Sequence, residues 1–195
     1  MSDPLNGARW VFHHGDNREI LPTLGAVDHV ITDPPFTQRT SENARTNPNG
    51  SHGSKIQRER MIEFDGIDAA DVARDLLAVA KRWCIAFCAL EQLGAYSQAA
   101  GTSWVRAGVW AKPDGAPQFT GDRPAQSAEG IAIMHRPGRK RWNGGGSRGL
   151  WTFSVVQSRA AFGHPPPTPL DLMLHLAELF TDPGDIVLAP FAGSG

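Results

Sequence analysis

This chain of 195 residues has little of several features that define whole classes of protein. Its only two cysteines are Cys84 and Cys88, and both lie in an apolar run that predicts a strand. Residues four apart in one strand are too distant to form a disulfide, so we expect two buried thiols in a reducing compartment rather than a disulfide or a metal ligand. No apolar run approaches the roughly 20 residues of a membrane span. Residues 1–4 carry no signal-peptide pattern, so we expect a cytoplasmic protein.

Acidic residues are missing from one long stretch. The chain has 20 acidic and 19 basic residues and a net charge of −1, yet residues 131–170 contain no Asp or Glu. Basic residues mixed with an aromatic residue and glycines are typical of a loop that follows a nucleic-acid groove. The alternative is a solvated surface, and Trp142 could pack against its own hairpin rather than a base. The candidates for DNA contact in this stretch are Arg136, Arg139, Lys140, Arg141, Trp142 and Arg148.

The most informative stretch is residues 27–36, VDHVITDPPF. Val30 and Ile31 are at the centre of an apolar run that predicts a buried strand. Proline cannot continue a central strand because it lacks an N–H and has a fixed φ. We therefore expect the strand to end at Thr32 or Asp33. Asp33 would then lie at the carboxyl end of the strand, where ligands bind in open α/β sheets.

The remaining pattern alternates strands with helices and predicts a doubly wound α/β sheet. Strands are predicted at residues 10–14, 83–90, 104–110 and 185–188, and helices at residues 17–24, 68–82, 93–100 and 170–180. Asp16 is a candidate N-cap of the first helix, Gly101 should end the third, and residues 182–185 predict a turn. Residues 37–61 are polar and lack a hydrophobic period. They predict a lid over a site or, alternatively, a solvated mobile loop, and Arg39 and Arg45 are its candidates for phosphate contact.

Two motifs resemble those of a known family. Asp33-Pro34-Pro35-Phe36 resembles the Asp-Pro-Pro-aromatic signature of the DNA amino-methyltransferases, and residues 186–195, IVLAPFAGSG, resemble the glycine loop of that family. The order of the two motifs is that of the beta-type members. The resemblance implies a Rossmann-like sheet dependent on S-adenosylmethionine with an inserted target-recognition segment. It divides the chain into a catalytic half (residues 1–112), a target-recognition segment (113–162) and a cofactor-binding helix, strand and glycine loop (163–195).

The resemblance also implies a site. An exocyclic amine is a poor nucleophile because its lone pair is delocalised into the base. Hydrogen bonds from its two N–H groups to the Asp33 carboxylate and to the Pro34 carbonyl would favour a more tetrahedral nitrogen. Pro35 and Phe36 complete the catalytic motif, and Phe36 could stack on a base flipped out of double-stranded DNA. The cofactor-binding residues implied by the family are Asp16, Asp33, His164, Pro190, Phe191, Ala192, Gly193 and Gly195; no metal is implied.

Two departures from the family pattern lead to alternatives. The family usually has an acid where this chain has Ala189, and its glycine loop is followed by a helix and further strands beyond the equivalent of Gly195. A truncated, split or degenerate chain would explain this, and an exposed sheet edge would favour a second chain or a homodimer. The residues favour adenine N6 methylation, because N4-cytosine relatives often carry serine in place of Asp33. The alternatives are N4-cytosine methylation, a catalytically inactive DNA-binding relative, and a small-molecule or protein amine methyltransferase.

Overall fold

The computed structural model describes residues 10–35, 68–115, 117–118, 121–155 and 168–191. These residues form an α/β fold with one mixed sheet. The helices are α1 (Asn17–Ile20), α2 (Ala69–Val79), α3 (Leu93–Ala100) and α4 (Leu170–Phe180). The strands are β1 (His29–Thr32), β2 (Trp83–Cys88), β3 (Trp104–Ala111), β4 (Ala128–His135), β5 (Leu150–Thr152) and β6 (Val187–Leu188).

The sheet has the strand order β5-β3-β4-β2-β1-β6. Strand β4 is antiparallel to both of its neighbours, whereas β1 pairs in parallel with β2 and with β6, and β3 pairs in parallel with β5. All strands other than β4 therefore point the same way. We call the edge where they end the carboxyl edge and the opposite edge the amino edge. From β1 the chain continues through β2 on one side and returns later as β6 on the other, which makes the β1–β6 boundary a topological switch point.

Helices cover both faces of the sheet. Helices α2 and α3 pack on one face, where Leu76 and Tyr96 meet alternate residues of β1, β2 and β4. Helix α4 packs on the other face, where Leu172 and Leu176 contact the intervening strand residues. Because strand side chains alternate between faces, strands covered on both sides read as continuous apolar runs. Every residue of β1 and β2 is buried.

The sequence predicted the position of all four helices, but α1 ends at Ile20 and α2 at Val79, earlier than predicted. Helices α3 and α4 have the predicted bounds. The side chain of Asp68 caps α2 by accepting hydrogen bonds from the amides of Ala70 and Asp71. Gly101 ends α3 with a φ of 51°, a conformation that glycine adopts without steric cost. The two cysteines are free and buried, as expected.

Three strand predictions need correction. The sequence predicts a strand over residues 10–14, but the structure assigns them none. Trp10, Val11 and Phe12 are largely exposed, and within the described residues no strand pairs with this segment. Conversely, β4 and β5 were not predicted. Both lie inside the segment 113–162 that is predicted to recognise DNA, and β4 is an interior strand of the sheet between β2 and β3.

Candidate active site

The boundary between β1 and β6 brings the two predicted motifs to one end of the sheet. In the register of this pair, His29 lies opposite Val187 and Val30 opposite Leu188. Beyond the ladder, the amide of Phe191 donates a hydrogen bond to Thr32 Oγ1 at 3.3 Å. Asp33 directly follows Thr32, so Asp33 and Phe191 leave the sheet side by side at the carboxyl edge. Four residues of the two motifs (Phe36, Ala192, Gly193 and Gly195) lie outside the described residues.

The Asp33 carboxylate is held in a largely buried environment. The hydroxyl of Thr168, two residues before α4, donates a hydrogen bond to Asp33 Oδ2. Burial raises the pKa of Asp33 above its ordinary value, and the Thr168 hydrogen bond and the charge of Lys112 offset this only in part. Pro34 is buried and Pro35 partly buried. The structure therefore fixes the direction of this acid and makes its charged form costly, a combination typical of functional carboxylates.

A largely buried ion pair that was not predicted from the sequence lies at the same edge. The Lys112 ammonium contacts the carboxylate of Glu129 and lies 4.4 Å from the ring centroid of Trp110. Burial raises the pKa of Glu129; Lys112 opposes this rise and the charge of Asp33 adds to it. The pair was missed because β4 was missed. The sequence feature that could have indicated the pair is Glu129, the single acid in the apolar run 128–135.

Asp16, predicted near the cofactor, acts as a helix cap. Its carboxylate accepts a hydrogen bond from the Arg18 amide at 2.9 Å and pairs with the Arg18 guanidinium at 2.6 Å. The side-chain hydrogen bond from Arg18 is the main cause that lowers the pKa of Asp16 to about 2. The capping interpretation is confirmed, and the cofactor contact stays a prediction. His164, Arg39 and Arg45 lie outside the described residues.

The predicted DNA contacts between residues 136 and 148 lie at the opposite edge of the sheet. The Arg136 amide donates to the carbonyl of Arg82, just before β2 begins, at 3.0 Å. Arg141 pairs with Asp182 at 2.8 Å. Strand β2 spans six residues, which separates the two edges by roughly 15–20 Å at about 3.3 Å per residue. The structure therefore does not bring this basic segment together with Asp33. Arg136, Arg139, Lys140, Arg141 and Arg148 are all exposed.

Trp142 belongs to the packing at the amino edge. Its ring centroid lies 4.9 Å from that of Phe180, and its indole N–H donates to the Gly145 carbonyl at 2.8 Å. A cavity of about 420 Å³ opens beside it, lined by Trp83, Trp142, Trp151 and Phe180 among other residues. Among the described residues, its lining includes Arg106 and Ser147 but no carboxylate. Unlike the carboxyl edge, this lining offers no carboxylate acceptor for an amine.

Neither a metal cluster nor a membrane-spanning helix is found in the part of the chain that the structure describes. Among residues 10–35, 68–115, 117–118, 121–155 and 168–191, no group of three or more His, Cys, Asp or Glu side chains could hold a metal ion. Within the same ranges, no helix has the length and apolar content needed to cross a bilayer.

Comparisons with known proteins agree with this architecture. A family model described as DNA methylase matches residues 27–195. The type II methyltransferase M.XycI of Xanthomonas campestris pv. cyanopsidis is 33% identical over 97 residues, which cover 45% of this chain and only 32% of that protein. The M1.HpyAVI–SAM complex superimposes with a TM-score of 0.66 at 19% identity, covering 94% of this chain and 82% of that chain. TTHA0409 of Thermus thermophilus, complexed with S-adenosyl-L-methionine, gives 0.56 at 18% identity, with 93% and 78% covered. The two structures show a shared fold.

Proposed function

This chain belongs to the DNA methylase family, and on that premise we propose that it transfers a methyl group from S-adenosylmethionine to an exocyclic amine of a base in double-stranded DNA. Adenine N6 is the favoured target, and cytosine N4 is the alternative. One observation carries the proposal: the largely buried Asp33 carboxylate lies at the carboxyl edge, beside the segment that follows β6. The hydrogen bond from Phe191 to Thr32 supports it, because it ties the second motif to the first.

The cofactor is proposed to bind in the crevice outside β1 and β6. The residues that fit it are the Asp33 carboxylate and the partly buried aromatic ring of Phe191, because both attract a sulfonium cation. Both M1.HpyAVI and TTHA0409 have structures in complex with this cofactor. Pro190, Ala192, Gly193, Gly195, His164 and Asp16 are proposed to complete the site. The cofactor would supply an electrophilic methyl group.

Asp33 is proposed to orient the target amine. Its carboxylate would accept a hydrogen bond from one N–H and the Pro34 carbonyl would accept the other, which directs the nitrogen lone pair toward the methyl group. Only the ionised carboxylate is purely an acceptor. The raised pKa of Asp33 therefore predicts that activity is lost as the pH falls through that pKa. The rest of the rate enhancement would come from positioning, since in-line transfer needs no nucleophilic side chain.

DNA contact is proposed at both edges of the sheet. A base amine cannot be reached inside a duplex, so the base must leave the stack. Phe36 would stack on it, and Arg39 and Arg45 would contact phosphates beside it. The exposed cations between residues 136 and 148 would contact the duplex farther away, because they lie at the amino edge. Such contacts add affinity without reading sequence.

The direct test is the transfer of labelled methyl groups to DNA, with the product nucleoside identified by chromatography. We expect N6-methyl-2′-deoxyadenosine as the product and a loss of activity of about 100-fold or more in Asp33→Asn, because an amide is a weaker acceptor than a carboxylate. Asp71→Asn is the control for the change of charge alone, since the Asp71 side chain is exposed on α2. Wild-type activity in Asp33→Asn would contradict the proposal.

A catalytically inactive DNA-binding relative is the second candidate. The observation that favours it is Ala189, which stands where the family usually has an acid that helps to hold the cofactor. This candidate predicts salt-dependent DNA binding without cofactor binding. Calorimetric titration with S-adenosylmethionine separates the two candidates: saturable binding with a stoichiometry near one supports the enzyme.

A further inference from the structure

The pair of Lys112 and Glu129 is joined by the geometry of the sheet. Trp110 is the register partner of Glu129 across β3 and β4, and Lys112 is two residues farther along the chain. The amide of Lys112 donates to the Ser127 carbonyl at 2.8 Å, which extends the hairpin past the end of β3. The ammonium is thereby directed to Glu129 and over the Trp110 ring. The exposed fractions of the Lys112 and Glu129 side chains are only 19% and 13%.

This pair lies on the same face and edge of the sheet as Asp33: Asp33, Lys112 and Glu129 are each two residues from Ile31, Trp110 and Ile131, which belong to the cluster packed against α4, and residues two apart in a strand share a face. The positive charge of Lys112 lowers the pKa of Asp33, and the negative charge of Asp33 raises the pKa of Glu129. The carboxyl edge therefore has two largely buried acids and one largely buried cation within interaction range. A single cation cannot fully compensate two carboxylates that have both lost water.

The other titratable groups that interact electrostatically with Asp33 come from β2 and α3. Burial raises the pKa of the Cys88 thiol to about 12 and raises the pKa of Tyr96 well above its ordinary value, so both are neutral at pH 7. Glu91 acts on Cys88 and is partly exposed. Thr168 donates its hydroxyl to Asp33 without carrying charge. Among the described residues, Lys112 is thus the cation that acts on Asp33, and Glu129 is the acid that is coupled to both.

We propose that Lys112 and Glu129 are a pair of positioning residues: Lys112 is the cation that keeps Asp33 ionised, and Glu129 fixes the ammonium and divides its charge between two acids. Neither residue needs to touch the substrate for this role. The inference deepens the proposed function and rests on it for the statement that Asp33 must be ionised during catalysis. The electrostatic coupling itself does not depend on that function.

The two members of the pair have opposite effects on Asp33. Removing the cation with Lys112→Met leaves Asp33 near an acid in a largely buried site, so its titration midpoint should rise. Removing the like charge with Glu129→Gln leaves Lys112 for Asp33 alone, so the midpoint should fall. Lys112→Arg keeps the cation and is the matched control. Two residues with only a structural role would not shift the midpoint in opposite directions.

The test is a carboxyl ¹³C NMR titration of the free protein labelled only in its aspartates. The Asp33 resonance is identified by its loss in Asp33→Asn. We expect a midpoint at least about half a pH unit higher in Lys112→Met and lower in Glu129→Gln, and close to wild type in Lys112→Arg. Unchanged midpoints, or shifts in the same direction, would overturn the proposal. If Lys112→Met does not fold, Glu129→Gln decides alone; failure of both variants to fold would mark the pair as structural and also overturn it.

Methyl transfer gives a second, independent readout. If the chain is active, the acidic limb of its pH–rate profile should move in the same two directions as the NMR midpoints. A chain without activity that still shows the opposite midpoint shifts would contradict the proposed function and leave the electrostatic pair intact. An active chain with unchanged midpoints would contradict only the pair.

Discussion

Acidic side chains are paired with cations differently at the two edges of the sheet. At the amino edge, Asp28 pairs with Lys81 at 3.6 Å and Asp182 pairs with Arg141 at 2.8 Å, so each acid has its own cation. Asp185 lies 3.2 Å from the Arg82 guanidinium and 3.0 Å from His29 Nε2. At the carboxyl edge, by contrast, Asp33 and Glu129 share the cation Lys112.

The pKa values follow this difference in pairing. Burial pushes the pKa of Asp185 upward, but hydrogen bonds from the Asp182 amide and His29, with the charge of Arg82, outweigh it and leave the pKa lowered. For Asp33 burial prevails and the pKa is raised. An acid whose charged form is stabilised contributes to folding, whereas an acid whose charged form is costly is available for chemistry. The comparison therefore indicates that the acids of the amino edge stabilise the fold, and it favours the carboxyl edge as the place of the proposed chemistry.

Asp185→Asn should have the largest effect on stability. The carboxylate joins β6 to β1 through His29 and accepts a hydrogen bond from the Asp182 amide at 2.9 Å. Hydrogen bonds to charged groups contribute about 1.5–3 kcal/mol each, so we expect a loss of about 2–3 kcal/mol in the free energy of unfolding. Because the folded pKa is lowered, this stability is present above the ordinary pKa and is lost as the pH falls through the folded value. Urea unfolding of wild type and Asp185→Asn at several pH values measures this difference. Equal stability of the two proteins at pH 7 would show that Asp185 has no structural role.

Asp33→Asn should change the free energy of unfolding in the opposite direction and stabilise the protein at pH 7. The folded pKa of Asp33 is raised, so the ionised acid costs stability at pH 7, and wild-type stability should rise as the pH falls through that pKa. The amide keeps an acceptor for Thr168 without the charge. We expect the variant to be more stable than wild type at pH 7, with the difference vanishing in acid. Thermal unfolding at several pH values between acid and neutral tests this. A variant less stable than wild type at pH 7 would contradict the electrostatic contrast between the edges.

Charge removal in the basic segment should have the smallest effect. Arg139 and Lys140 are exposed at the amino edge, and each proposed phosphate contact accounts for a slope of about 1 in the salt dependence of DNA binding. Arg139→Ala combined with Lys140→Ala should lower DNA affinity about threefold to fivefold near physiological salt and reduce the slope by about 2. Binding titrations at several salt concentrations measure both quantities. An unchanged slope would show that Arg139 and Lys140 do not contact DNA phosphates.

Much of the fold could be predicted because its signals are local. Helix α4 shows a clear apolar period, and α3 ends at a glycine with positive φ. The end of β1 at Thr32 follows from two prolines that cannot pair. Strand β4 was missed because its alternation is between two buried faces: Ile131 and Ile133 face α4, whereas Ala132 and Met134 face the other helices. Such a run has no polar period.

The position of the charged groups could not be predicted without β4. Since β4 is antiparallel to β2, it carries the chain from the carboxyl edge back to the amino edge. That reversal decides where the basic segment lies. The same hairpin sets Glu129 opposite Trp110 and within reach of Lys112, a contact that depends on register between strands. Sequence spacing alone gives neither the register nor the edge.

The claim that the carboxyl edge holds the cofactor can be tested most directly by mapping amide chemical shifts during titration with S-adenosylmethionine. We expect the amides of Thr32, Asp33 and Phe191 to shift with a common saturation curve, and those of Asn143 and Gly145 at the amino edge to stay unchanged. Shifts that saturate at Asn143 and Gly145 while Thr32, Asp33 and Phe191 stay fixed would contradict this account.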